Sequence, residues 1–130
     1  MILGLGIDSV EIKRFSGWHR YSVRKLSHLF SAEEITYCLS VSAKSAERFA
    51  VRFAAKEALL KALSFTSGSH VGKIQSITKI ARACYVTHDP TGTPQLIVDW
   101  KTLALPAQHV LVSLTHTRIM ATAAVIAYNE

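Results

Sequence analysis

The sequence predicts an α+β fold, with a small antiparallel sheet packed on one long central helix. Three observations carry this. A short β-branched run opens the chain, helical patterns fill its middle, and strand-like segments close it. That order, with helices segregated from most strands, is what an antiparallel sheet covered by helices produces. The stretch from Ala43 to Phe65 is rich in Ala and free of Gly and Pro, so propensity alone favours a long helix. A turn cluster, His88-Asp89-Pro90-Thr91-Gly92, sits between two strand-like runs, as in a hairpin.

Ile2 to Ile7 reads as a short buried strand, interrupted by Gly4 and Gly6 and closed by Asp8. Val10, Ile12 and Phe15 mix with charges, which suits a turn into a short irregular helix. A second helix is expected over Trp18 to Leu29. Ser31-Ala32-Glu33-Glu34 has the form of a capping box and starts a third, ending near Ser40. In the long helix, Phe49, Phe53 and Leu60 form one stripe at about 100° per residue. Ala50, Ala54, Ala55, Ala58 and Ala62 make much of the remainder small. A helix that is apolar or small almost all round packs on several sides. Ser67-Gly68-Ser69 is expected to end it. Ile74, Ile77, Ile80, Ala83, Tyr85 and Val86 suggest a long irregular strand, and Gln95 to Trp100 its hairpin partner. A helical turn is expected over Lys101 to Leu105. Val110 to Thr115 and Ile119 to Tyr128 read as two further strands, joined at His116-Thr117-Arg118.

A length of 130 residues suits one domain, 1–130, large enough for a core without staples. Cys38 and Cys84 are too few for a disulfide framework and lack metal-ligand spacing, so both read as free thiols in a reducing compartment. The opening MILGLGID has neither a basic leader nor a span-length apolar run, so a cytoplasmic protein is expected. The net charge of +6 points to an acidic partner or a phosphorylated ligand. Lys13, Arg14, Arg20, Arg24 and Lys25 share a stretch with no Asp or Glu. They form either a docking face for something acidic or a solvated surface.

Two carboxylates stand among small or apolar neighbours, Asp8 and Glu57. Such a group is costly unless it pairs or binds a metal. Either Glu57 pairs with Lys61 or an Arg while Asp8 caps a helix, or the two are hard oxygen ligands. Mg²⁺ suits the second reading, because it takes one or two carboxylates and leaves room for phosphates. Arg48, Arg52 and Lys56 form an i, i+4, i+8 row that could hold a polyphosphate or be the wet edge of the helix. Ser113, Thr115 and His116 put hydroxyls and an imidazole at a strand end. Gly4-x-Gly6 lacks the third glycine of a dinucleotide fingerprint, and no GxSxG elbow supports a hydrolase.

GLGIDSVEIKRF and RFAAKEALLKAL resemble the two signature motifs of the holo-acyl-carrier-protein synthase group of 4′-phosphopantetheinyl transferases. VLVSLTHTRIMATAAVIAY and TGTPQLIV resemble that family's strand-turn-strand ending and the hairpin before it. The resemblance implies the small α+β phosphopantetheinyl transferase fold, usually trimeric, with the active site at the subunit boundary. It implies transfer of phosphopantetheine from coenzyme A to a serine of an acidic acyl carrier protein, in support of fatty acid biosynthesis. Asp8 and Glu57 would hold Mg²⁺, with Glu57 and Lys61 catalytic and Lys61 on the pyrophosphate. Arg48, Arg52, Ser113 and His116 would contact coenzyme A. Arg14, Arg20, Arg24 and Lys25 would meet the carrier, with no nucleic-acid or membrane partner. Thr115 stands where many members have serine, and 32–45 and 66–73 match no motif. A nucleic-acid-binding module would account for the basic charge but not for the two acids, and the sequence has no interleaved aromatic platform. A carrier domain of a polyketide or peptide synthase is the alternative substrate.

Overall fold

The computed structural model describes residues 1–65 and 76–130. Strand β1 runs over Ile2–Glu11. Two 3₁₀ turns follow at Ile12–Phe15 and Trp18–Arg20, then the short helix α1, Val23–Leu26. Helix α2 covers Ala32–Leu39, a 3₁₀ turn Ser42–Lys44, and α3 Ser45–Leu63. Beyond 75 come α4 (Ile77–Arg82), β2 (Cys84–His88), β3 (Pro94–Val98), α5 (Trp100–Leu103), β4 (His109–His116) and β5 (Met120–Tyr128). Among the described residues, β1, β5 and β4 form an antiparallel sheet in that order, and β2 and β3 a separate antiparallel hairpin.

Strand alternation decides what meets α3. Gly4, Gly6, Asp8 and Val10 of β1 point inward, as do Ala121, Ala123, Val125 and Ala127 of β5. The four β5 residues are all fully buried, and three of them are alanines. Small inward side chains let α3 lie close on the sheet. At β1 the approach is closer still. A Cβ on Gly4 would stand 2.0 Å from the Ala62 carbonyl oxygen, and one on Gly6 1.8 Å from that of Ala58. The strand thus meets the helix backbone directly, and the next inward residue, Asp8, is delivered to the flank of α3.

The other side of α3 is covered by an aromatic cluster. Phe15 and Trp18 meet tilted at 4.5 Å between centroids, Phe15 meets Phe53 at 5.5 Å, and Phe30 meets Phe49 at 4.9 Å. The expectation of a helix buried on several sides holds.

The capping box of α2 is complete: the Glu34 amide donates to Ser31 Oγ, and the Ser31 amide to Glu34 Oε1. Four expectations need correction. Asp8 does not close β1, which continues to Glu11 along the edge of β5. Trp18 to Leu29 is a 3₁₀ turn and one short helix rather than a continuous one, because Ser22 caps the Lys25 amide and restarts the chain. Residues 77–82 are helical rather than extended, since Ile77 and Ile80 are one helical turn apart. The hairpin partner starts at Pro94 and stops at Val98, and Asp99 caps α5. The expectations for 67–69 and for Ile74 lie outside the described residues.

Candidate active site

The inward course of β1 brings Asp8 to Lys61, one of the exposed turns of α3. Lys61 Nζ donates to Asp8 Oδ1 at 3.1 Å and to the Ile7 carbonyl at 2.9 Å. Asp8 is largely buried, and its second oxygen, Oδ2, has no hydrogen-bond partner. Glu57, one turn before Lys61, joins the same cluster electrostatically. Burial first, and then the neighbouring Asp8 charge, push the Glu57 carboxyl above its usual range, while Lys61 and Arg14 oppose the shift. Asp8 and Glu57 thus lie near enough for their charges to act on each other. The alternative pairing of Glu57 with Lys61 is not what forms: Lys61 reaches across to β1. An orphaned carboxylate oxygen near a second, partly buried carboxylate is a donor set that a hard divalent cation would satisfy. No group of three or more acidic, His or Cys ligands occurs among the described residues.

Arg14, on the first 3₁₀ turn, is exposed, and its guanidinium lies over Phe53 at 4.9 Å and Phe15 at 5.7 Å. Arg20, Arg24 and Lys25 are also exposed. None of these four makes a close ion pair among the described residues, although the Arg14 charge acts on Glu57, and Lys25 sits over the Tyr21 ring at 3.8 Å.

A second cluster begins about one and a half turns along α3 from Glu57. Arg48, Arg52 and His116 line a cleft of about 210 Å³ together with Tyr37, Lys44, Glu47, His88 and Thr115. Arg48 and Arg52 both lie over the Tyr37 ring, at 4.0 and 4.4 Å. Arg48 Nη1 donates to the Tyr37 carbonyl at 2.8 Å. Arg52 is 4% exposed and donates to the Arg48 carbonyl, and its Nε is buried with no partner. A buried guanidinium without a carboxylate is an anion site in waiting. His116 Nε2 lies 3.1 Å from Glu47 Oε1. Burial first, and then Arg52, hold His88 below the usual imidazole range, against the pull of Asp89. The sheet register ties the two clusters together. Asp8 and Leu114, which also lines the cleft, both stand opposite Ala123. They are therefore two strand spacings apart, about 10 Å.

Ser113 is not brought to this cleft. It is exposed on the sheet face turned away from α3, between Leu111 and Thr115. Lys56, read as the third member of a cationic row, is not at a wet edge either. It is 1% exposed and donates to Glu34 Oε1 at 2.7 Å. Tyr37, Glu47 and His88 belong to the cleft and were not singled out in the sequence. A Tyr in a polar helix and a His at a turn carry no periodic signal.

The profile of the 4′-phosphopantetheinyl transferase superfamily matches residues 4–126. The chain belongs to this superfamily. Within it, the relatives are acyl-carrier-protein synthases. The holo-[acyl-carrier-protein] synthase of Treponema pallidum is 40% identical, with 100% of this chain and 98% of that one covered. That of Koribacter versatilis is 36% identical, with 97% and 98% covered. The crystal structure of a holo-(acyl-carrier-protein) synthase from Bacillus anthracis in complex with CoA (3′,5′-ADP) superposes with a TM-score of 0.76. It is 27% identical and covers 100% of this chain and 99% of that one. The α+β fold and the family expected from the motifs are thus found. No helix among the described residues is long and apolar enough to cross a membrane.

Proposed function

We propose that this chain, as a single cytoplasmic domain over 1–130, transfers 4′-phosphopantetheine from coenzyme A to a serine of an apo acyl carrier protein, releasing adenosine 3′,5′-bisphosphate, in support of fatty acid biosynthesis. The observation that carries the reading is the convergence of Asp8, Glu57 and Lys61 beside a cleft built on two guanidiniums. One group of charges suits a divalent cation and a diphosphate, and the other a second phosphorylated group of the same molecule.

Asp8, through its orphaned Oδ2, and Glu57 would hold Mg²⁺, which when bound supplies positive charge to the diphosphate oxygens and lowers the barrier to in-line displacement. Lys61 is held at the cluster by Asp8 and the Ile7 carbonyl, so its ammonium is in place to offset charge on the pyrophosphate. The carrier serine oxygen forms the new bond to the β-phosphorus as the bond to the leaving bisphosphate breaks. Glu57, with its raised carboxyl, is the chain's own group suited to take the serine proton. Arg48, Arg52 and His116 fix the nucleotide end.

The exposed Arg14, Arg20, Arg24 and Lys25 meet the acidic carrier. Charge pairing of this kind speeds association and fades with salt. Assembly is read from the outer sheet face, where Leu5, Ile7 and Leu111 are 56%, 61% and 59% exposed beside Ile126. An apolar sheet face of this kind is covered in an oligomer, and a homotrimer is the assembly proposed. Ser113 lies on the same face, so it would reach coenzyme A bound at a subunit boundary rather than in its own cleft.

The test is to incubate the protein with coenzyme A, Mg²⁺ and several apo carriers, including a polyketide or peptide synthase domain. Mass spectrometry should show a phosphopantetheine adduct on the acyl carrier protein. No adduct on any carrier would overturn the reading.

A further inference from the structure

Lys56 and Glu34 are an ion pair in the interior of the molecule, each 1% exposed at the side chain. Lys56 Nζ is fully engaged. Its three N–H groups are shared among four acceptors: Glu34 Oε1 and the Leu29 carbonyl, both at 2.7 Å, and the Ala81 and Cys84 carbonyls, both at 3.1 Å. Glu34 Oε1 also accepts from the Ser31 amide at 2.9 Å, and its Oε2 accepts the Val86 amide at 3.0 Å. One ammonium and one carboxylate thus tie the turn after α1, the start of α2, the end of α4 and strand β2 to the middle of α3.

Three of those elements, α2, α3 and β2, also line the cationic cleft. Tyr37, the platform under Arg48 and Arg52, follows Glu34 by one turn of α2. His88 follows Val86 by two residues on the same face of β2, and its ring is 6.2 Å from that of Tyr37. Arg52 precedes Lys56 by one turn of α3. A neighbouring cavity shares Tyr37, Arg52 and His88 with the cleft and is lined also by Glu34 and Val86. The α2, α3 and β2 sides of the cleft are therefore referenced to one buried pair, while Leu114, Thr115 and His116 of β4 form the remaining side. Replacing such a pair with apolar groups often leaves stability unharmed, so stability alone does not explain its presence.

We propose that Lys56 and Glu34 are positioning residues that set the width of the Arg48–Arg52 cleft, and hence the affinity for the nucleotide end of coenzyme A. The inference rests on the reading of that cleft as the coenzyme A site. Neither side chain touches substrate; both act through Tyr37, His88 and Arg52.

The test is steady-state kinetics on Lys56→Met and on the double variant Glu34→Gln/Lys56→Met, which removes both charges and guards against failure to fold. Direct titration with adenosine 3′,5′-bisphosphate accompanies it. Misplacing binding groups by an ångström costs about tenfold or more. The expected result is such a rise in KM for coenzyme A and in Kd for the bisphosphate, with KM for the carrier unchanged and kcat at saturating coenzyme A nearly kept. Leu103→Ala, a core truncation in α5, is the control. It should lower Tm without moving KM. A folded double variant with wild-type KM and Kd would overturn the inference, as would a fall in kcat alone. Loss of all activity in the wild type would instead strike the proposed function, and the bisphosphate titration separates the two.

Discussion

Gly6→Ala tests the link between fold and site in one substitution. The added Cβ would stand 1.8 Å from the Ala58 carbonyl oxygen and 2.7 Å from the Ala62 nitrogen. Both are backbone atoms, so no rotamer can yield. Restoring even the shortest ordinary contact, 3.4 Å, requires α3 to retreat from β1 by about 1.6 Å. Overpacking of this severity costs about 3 kcal/mol or more. For a chain of this size that corresponds to a fall of about 10 °C in Tm. The same retreat moves Lys61 and Glu57 away from Asp8, so turnover should fall even at temperatures where the variant is folded. Gly17→Ala is the matched control: nothing lies within 4 Å of its Cβ, and stability should change by less than about 0.5 kcal/mol. The assay is thermal melting by circular dichroism, followed by turnover well below each Tm. A Gly6→Ala protein that melts with the wild type would refute the close approach of strand and helix.

Other outcomes follow from the same geometry. Ile7→Asp or Leu111→Asp on the outer sheet face should convert the proposed homotrimer to monomers in size-exclusion chromatography with light scattering, without unfolding them. Charge reversal at Arg14 and Arg24 should raise KM for the carrier far more than for coenzyme A, with the difference shrinking at high salt. Glu57 is an acid with its folded pKa raised, so it opposes stability above that pKa and the penalty vanishes below the ordinary carboxylate range. Glu57→Gln should therefore melt no lower than the wild type at neutral pH, and any gain should disappear near pH 4. Burial pushes the Cys38 and Cys84 thiols up to about 12, so neither should react with a thiol reagent until the protein unfolds.

Much of this was legible in the sequence, and the parts that were not have specific physical causes. The long helix, the closing strands and the capping box at Ser31 are local signals, and the structure bears them out. Asp8 and Glu57 could be paired because each interrupts an apolar pattern and because the motifs around them resemble one family's. Lys56 misled because an i, i+4 row is not straight. Each step of four residues advances about 40°, so Arg48, Arg52 and Lys56 turn from half-buried to fully buried across the row. Its partner Glu34 was read only as a cap, and nothing local shows that the same carboxylate also meets an ammonium 22 residues on. Ile77 and Ile80 fit a helix or an irregular strand, and only their packing decided. The outward direction of Ser113 follows from strand alternation once its neighbours Val112 and Leu114 are known to face α3.

The central claim is that Asp8 and Glu57 act together on one divalent cation at the phosphates. The most direct measurement is a Mg²⁺ titration of turnover for the wild type and for a folded Glu57→Gln protein, with an apo acyl carrier protein as acceptor. The account predicts turnover that rises and saturates with Mg²⁺ in the wild type and is lost in the variant at every concentration. Near-normal, Mg²⁺-dependent turnover in the folded variant would contradict it.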